Sequence, residues 1–313
     1  MSNAYASVST KAPEIPWNKH FRQKKGIADW VTDIVIWAII ALTCFVVIYP
    51  LWFVIIASVS DQAKVAAGDV TLIPLGLNFA GYKKVFANTS IWQGYWNTIV
   101  YSVLGTALNL AVTLPGAFAL SRREFKPRRV MLFLLTFTMY FAGGMIPNYL
   151  LYKDLGLLDN MWVFILPGAV SVWNLIIARS FFETSIPEDL HDAAQIDGLS
   201  YIGYFFKIVL PLSSAIIAVI GLYYFVGHWN DYFTGLLYVT SAKKQPLQVV
   251  LQNILLANKA NVFENARNAI ENQHIAEQIK YGVIIVSTMP LLVIYPFLQK
   301  YFNKGVMIGA VKG

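Results

Sequence analysis

The feature that most constrains this chain is a series of six long apolar runs that carry almost no charge. A helix needs about twenty apolar residues to cross a hydrocarbon layer of about 30 Å, and each run reaches that length. The runs cover residues 34–59, 91–120, 130–152, 161–182, 208–229 and 281–299. Because backbone groups inside a membrane must pair with one another, the runs predict an all-α membrane protein with six transmembrane helices.

The composition supports this prediction and excludes several other classes of protein. Hydrophobic residues make up 57% of the 313 residues and charged residues 13%, outside the usual range of soluble domains. The single Cys44 rules out a disulfide framework. The net charge of +7 comes from basic residues beside apolar runs, which indicates membrane topology rather than nucleic-acid binding.

The orientation follows from lysine and arginine in the short flanking segments. The polar tail at 1–30 has no signal-peptide core. Basic residues fall on one side of a six-span arrangement: Lys11, Lys19, Arg22, Lys24, Lys25, Arg122, Arg123, Lys126, Arg128, Arg129, Lys300, Lys304 and Lys312. We therefore expect cytoplasmic tails at 1–30 and 303–313, a permease domain at 31–302, and segments 60–90 and 240–279 outside. The latter segment is expected to form an exposed helix.

A polar segment, residues 185–207, interrupts the apolar pattern between the fourth and fifth runs. Ser185 and Glu188 have the spacing of a capping box, and Gly198 offers the left-handed conformation that ends a helix. A second short helix is expected from Ser200, and Pro211 is expected to open the next span. Connectors in helical bundles usually have about 2–8 residues, so this length favours a docking surface. An ordinary connector is the alternative.

The same segment carries a recognisable motif. Asp192-Ala193-Ala194, then Gly198, and then, after nine intervening residues, Ile208-Val209-Leu210-Pro211 resemble the E-A-A…G…I-x-L-P signature of ABC-importer permeases. The stretches GGMIPNYLLY, WND and YFNKGVMIGAVKG resemble the carbohydrate branch, near the lipoprotein-cluster and multiple-sugar permeases. In this family the first position is usually Glu, and Asp192 shortens the reach to a basic partner.

The resemblance implies a type I importer permease in the cell membrane whose coupling helix docks on a separate ATPase. The positions expected to couple to that ATPase are Glu188, Leu190, Asp192, Ala193, Ala194, Asp197, Gly198, Ile208 and Pro211. It also implies a second homologous permease subunit, two ATPase copies, an extracellular solute-binding protein and an oligosaccharide cargo.

Local motifs argue against an enzyme. The sequence has no phosphate-binding loop, so ATP and magnesium are expected on the partner ATPase and no cofactor or metal on this chain. A permease for another solute is an alternative. A membrane scaffold or enzyme is disfavoured because the runs lack the ionisable residues that mark intramembrane chemistry.

Aromatic and amide side chains within the runs suggest a path for sugar, since aromatic faces cover sugar rings and amides pair with hydroxyls. The candidates are Tyr101, Asn109, Tyr140, Asn148, Asn174, Tyr223, Trp229 and Asn230, with Trp173 and Tyr224 beside them. Packing or interfacial roles are the alternative for each. Because no Lys or Arg lies at mid-span depth, the sequence favours a neutral cargo.

Overall fold

The structure is a computed structural model that describes residues 26–264, 278–293 and 296. The chain divides into two units, Met1–Leu51 and Trp52–Gly313, and the second contains the helical bundle. Several predicted features lie outside the described residues: the basic tail before residue 26, part of the outer segment at 265–277, and the basic C-terminal end.

The described part of the chain is helical, and no β-strand occurs within residues 26–264 or 278–293. The helices are α1 (Ile27–Val59), α2 (Gln62–Ala66), α3 (Ala80–Ala87), α4 (Thr89–Ser121), α5 (Arg128–Tyr140), α6 (Met145–Asp154), α7 (Trp162–Ile165), α8 (Val172–Ser185), α9 (Glu188–Ile196), α10 (Tyr201–Tyr204), α11 (Leu210–Leu212), α12 (Ser214–Trp229), α13 (Phe233–Tyr238), α14 (Leu247–Glu264) and α15 (Gln278–Val293). A π-helical turn covers Phe205–Val209, and a 3-10 turn covers Ala242–Lys244.

Two of the predicted spans are single helices. α1 and α4 have 33 residues each, about 50 Å of helix, and remain continuous through Pro50 and Pro115. In the described residues, two helices are long and apolar enough to cross a membrane, or four if each bent pair is one span. The shorter α8 and α15 occupy parts of the predicted fourth and sixth spans.

Three other predicted spans are interrupted by sharp bends or non-helical stretches. The third span bends by 110° between Tyr140 and Met145, where Gly144 has a φ of +92° that favours glycine. The fourth is non-helical over 166–171, around Pro167. The fifth bends by 83° at Ser213, so Pro211 lies before the break and does not open α12.

α4 is the central helix and packs against α8, α12 and α14. Its C-terminal half shares one apolar cluster with α8, α9, α10 and α12, and its first turn shares another with α14 and α15. Midway, Gly105 lets α12 approach closely: a Cβ at this position would lie 2.4 Å from His228 Nε2. The bundle therefore holds the 185–207 segment against one end of α4.

Candidate functional sites: the 185–207 segment and a polar cavity

The first helix of the 185–207 segment begins later than the sequence predicts. Ser185 is the last residue of α8, and Pro187 is the N-cap of α9 without a side-chain hydrogen bond to the helix. The predicted capping box between Ser185 and Glu188 was therefore wrong, because the preceding helix uses Ser185. Glu188 and Asp189 still lie in the first turn, where carboxylates complement the helix dipole.

The end of α9 matches the prediction in detail. Gly198 has a φ of +75°, and its amide donates to the Gln195 carbonyl at 3.0 Å. The Leu199 amide donates to the Ala194 carbonyl at 2.9 Å, which completes a Schellman motif. Ser200 then caps α10 by accepting from the Gly203 amide at 3.2 Å. Two short helices with defined ends thus form a stiff corner.

The two faces of α9 have different surroundings. His191 and Ala194 are buried, and the His191 ring contacts the rings of Tyr201 and Tyr204. Ala194, one of the positions expected to couple to the ATPase, is only 2% exposed and packs inside this chain. The opposite face carries the exposed residues Leu190, Asp192, Ala193, Ile196 and Asp197. Ile196 is 88% exposed, and the sequence reasoning missed it.

The end of the segment is integrated into the bundle. Ile208 is half-buried against the apolar cluster that includes Ala194, whereas Pro211 is exposed. The π-helical turn before Pro211 pairs the Leu210 amide with the Phe205 carbonyl. A π-helical turn is wider than an α-helical turn and relaxes the backbone hydrogen bonds next to a proline. It therefore lets the chain bend toward α12.

Ion pairs tie the start of the segment to the basic loop after α4. Arg123 lies 3.7 Å from Glu188, and Arg128 lies 3.5 Å from Glu183 on α8. Arg179 also pairs with Glu183, and its Nε donates to the Leu120 carbonyl at 3.0 Å. These groups border a cavity of about 520 Å³. Glu188 of α9 is thus paired with the loop after α4, and Glu183 pairs α8 with the first residue of α5.

A second cavity, of about 500 Å³, lies among α7, α8, α12 and α13 and is called the polar cavity here. Its polar lining residues are Tyr152, Ser171, Asn174, Tyr223, Tyr224, His228, Asp231, Thr234 and Tyr238. The lining combines aromatic rings, amides, hydroxyls and one carboxylate, which are the groups that suit a sugar.

Two hydrogen-bond chains fix the non-helical stretch 166–171 beside the polar cavity. Asn109 on α4 donates to the Gly168 carbonyl and pairs with His228 Nε2 at 2.7 Å. The Tyr224 hydroxyl accepts from the Ser171 amide at 2.9 Å and pairs with Thr113 Oγ1 at 2.7 Å. The break in the fourth span is thus held in a defined conformation, and it lines the cavity.

Only two of the eight candidate path residues line the polar cavity, Asn174 and Tyr223. Three others are buried and donate hydrogen bonds to backbone carbonyls: Tyr101 to Lys244, Asn109 to Gly168, and Trp229 to Ser287. Tyr140, Asn148 and Asn230 are exposed and do not line the cavity. The structure therefore does not bring the eight together as a path.

Asp159, which lies just before α7, connects two loops. It accepts from the Ser241 amide at 2.8 Å and the Ser241 hydroxyl at 2.6 Å, and it pairs with Lys244 at 3.2 Å. These partners, with the Ser241 hydroxyl contributing most, hold the pKa of Asp159 well below its ordinary value. Asp159 therefore fixes the connection before α7 against the 240–244 loop as a carboxylate.

Comparisons with known proteins identify the family. Residues 89–308 match the family described as "Binding-protein-dependent transport system inner membrane component". The chain is 38% identical over 281 residues to the polygalacturonan/rhamnogalacturonan transport system permease protein YtcP of Bacillus subtilis (strain 168), covering 90% of this chain and 98% of YtcP. It is 41% identical over 270 residues to Protein LplC of the same organism, covering 86% and 90%.

A solved structure agrees with this assignment. A chain of a bacterial ABC transporter involved in the import of the acidic polysaccharide alginate matches with a TM-score of 0.79 and 32% identity, covering 89% of this chain and 99% of that chain. The family consists of non-catalytic membrane permease subunits, as the sequence predicts. This chain belongs to the binding-protein-dependent transport system inner membrane components.

Proposed function

We infer that this chain is one permease subunit of an ATP-driven importer that moves oligosaccharides into the cytoplasm. The observation that carries the mechanism is the exposed face of α9. It presents apolar Leu190 and Ile196 beside acidic Asp192 and Asp197, on a helix whose C-terminal end is closed by a Schellman motif. Such a surface suits a cleft with an apolar floor and a basic rim on a separate ATPase.

α8 is the mechanical connection in this proposal. Its first turn lines the polar cavity, and its last residue, Ser185, leads directly into the 185–207 segment. The 14 residues of α8 span about 21 Å as a rigid rod. When the ATPase moves α9, the ion pairs of Glu183 and Glu188 carry the displacement into α8, α5 and α4, and the cavity changes shape.

The partners follow from this arrangement. With one docking segment, the chain forms half of a transport pore, so we propose a homologous second permease, two ATPase copies that bind Mg-ATP, and an extracellular solute-binding protein. The basic 121–129 loop and the tail at 1–30 place both termini and α9 on the cytoplasmic side in this proposal. α14 and the 240–244 loop then face outward.

The cargo proposed here is an acidic oligosaccharide. YtcP is named for polygalacturonan and rhamnogalacturonan, and the matched solved transporter for alginate, which is described as acidic. Other relatives are named for lactose and for melibiose, raffinose and stachyose, at 28% identity. The neutral cargo favoured by the sequence remains a testable alternative, because that expectation considered side-chain charges alone.

The docking proposal is tested by purifying the assembled transporter with variants of α9. Ile196→Glu places an unpaired charge in the apolar part of the interface, so the ATPase is expected to dissociate during detergent purification. Leu77→Glu is the matched control, because it makes the same change at a 68% exposed residue of the loop before α3. Full retention of the ATPase by Ile196→Glu would contradict docking through this face.

A further inference from the structure

The break in the fourth span exposes the start of a helix to the polar cavity. Residues 166–171 are non-helical, and Ser171 and Asn174, in the cap and first turn of α8, line the cavity. Non-helical backbone at membrane depth occurs where protein or a water-filled cavity pairs its polar groups. Here Asn109 and Tyr224 pair the backbone of Gly168 and Ser171, so the break is stable without a ligand.

The first amides of α8 are not all paired. The Leu175 amide donates to the Ser171 carbonyl at 2.9 Å, and the Asn174 amide to Ser171 Oγ at 3.4 Å. Within the described residues, the amides of Val172 and Trp173 have no acceptor. The first turn of a helix also carries about half a positive charge. This end of α8 is therefore an electropositive group at the cavity wall.

The side chain of Asn174 independently indicates a ligand. It is 6% exposed, lines the polar cavity, and makes no hydrogen bond to any other described residue. Buried amide side chains in proteins normally have hydrogen-bond partners. A carboxylamide that is buried, unpaired and at a cavity wall is arranged to donate to a bound molecule.

We propose that Asn174, at the N-terminal end of α8, binds the carboxylate of a uronate unit of the cargo. Helix N-termini bind anions through their first amides, and this one provides the positive potential that no mid-span Lys or Arg supplies. The inference rests on the proposed importer function and names its substrate class. The Tyr223 side chain offers a ring face for the sugar, and the Asp231 carboxylate, whose Oδ1 accepts from the Thr234 amide, can accept hydrogen bonds from sugar hydroxyls.

The test compares uptake of trigalacturonate with its methyl ester by the complete transporter in proteoliposomes. The ester keeps the size and hydroxyl groups but removes the charge. Wild type is expected to prefer the acid. Asn174→Asp puts a carboxylate where the substrate's carboxylate would bind, and it is expected to raise the ratio of KM for the acid to KM for the ester about tenfold. Asn88→Asp, at the N-cap of α4, is the matched control and should leave the ratio of acid to ester unchanged.

The outcomes separate the inference from the proposed function. An unchanged acid-to-ester ratio in Asn174→Asp, or wild-type preference for the ester, overturns the carboxylate site while leaving an oligosaccharide importer intact. Absence of ATP-dependent uptake of both compounds by wild type would overturn the importer proposal for this glycan class. If Asn174→Asp does not assemble, Asn174→Leu serves in the same measurement, and an unchanged ratio in that variant also overturns the site.

Discussion

The 185–207 segment and the 166–171 break both interrupt apolar helices, but they use their polar groups in opposite ways. In the segment, local hydrogen bonds satisfy the backbone, so the exposed side chains of α9 remain available to another protein. In the break, side chains from α4 and α12 pair the backbone of Gly168 and Ser171, and Asn174 at the start of α8 lines a cavity. In our proposal the first docks on a protein partner and the second binds a small polar cargo, and α8 connects them.

The largest effect is expected at the contact that holds the break in place. Gly105→Ala would put a Cβ 2.4 Å from His228 Nε2, so the imidazole ring must shift and lose its hydrogen bond with Asn109. We expect a destabilisation of about 1–3 kcal/mol, measured as thermal unfolding in detergent, together with loss of uptake. Gly116→Ala is the control, since its Cβ would approach only Leu175 at 3.7 Å. Equal stability of the two variants would show that the His228–Asn109 chain does not support the break.

In the 185–207 segment, Gly198→Val is expected to uncouple ATP hydrolysis by the ATPase from transport, while the protein still inserts into the membrane. A left-handed conformation costs a β-branched residue about 1–2 kcal/mol, and the corner between α9 and α10 would change its angle. Gly198→Asn, which tolerates this conformation, should keep coupling. Substrate-stimulated ATP hydrolysis by the assembled complex is the measurement, and undiminished stimulation in Gly198→Val would refute the role of the corner.

These two positions show what the sequence could and could not predict. Gly198 and Ser200 act within a few residues, so their motifs could be recognised locally. The breaks at 141–144 and 166–171 contain Gly143-Gly144 and Pro167-Gly168, which indicate turns, but the sequence does not show how far the helices bend there because both pairs lie within apolar runs. The hydrogen-bond partners of Asn109 and Trp229 could not be recognised, since they lie 59 and 58 residues away in sequence. His228 carried no recognisable signal, because its role depends on Gly105 across the helix pair.

A smaller effect is expected from charge on the exposed face of α9. Asp192→Lys should weaken ATPase retention, because a like charge would face the basic rim proposed for the partner, whereas Asp192→Glu should retain it. The ratio of ATPase to permease after purification, compared at low and high salt, measures the effect. Equal retention by both variants would mean that Asp192 is a solvated surface residue.

The smallest effect is expected at Asp159, which anchors the connection before α7. Its folded-state pKa is depressed, so its contribution is fully present above the unfolded pKa of about 4 and is lost as pH falls below it. Asp159→Asn should therefore lower Tm equally at pH 6 and pH 8, and by less at pH 3. Asp154→Asn, at the exposed end of α6, is the control at pH 7. A Tm difference that changes between pH 6 and pH 8 would contradict this assignment.

The central claim is that the exposed face of α9 and the start of α8 have separate roles. Its most direct test is substrate-stimulated ATP hydrolysis by the complete transporter carrying either Ile196→Glu or Asn174→Asp. We predict that Ile196→Glu abolishes stimulation by the acid and by its methyl ester alike, through loss of the ATPase. Asn174→Asp should keep the ATPase and stimulation by the ester, and lose only the preference for the acid. If Asn174→Asp releases the ATPase, or if Ile196→Glu changes only the preference between the two glycans, the two regions do not have the separate roles assigned to them.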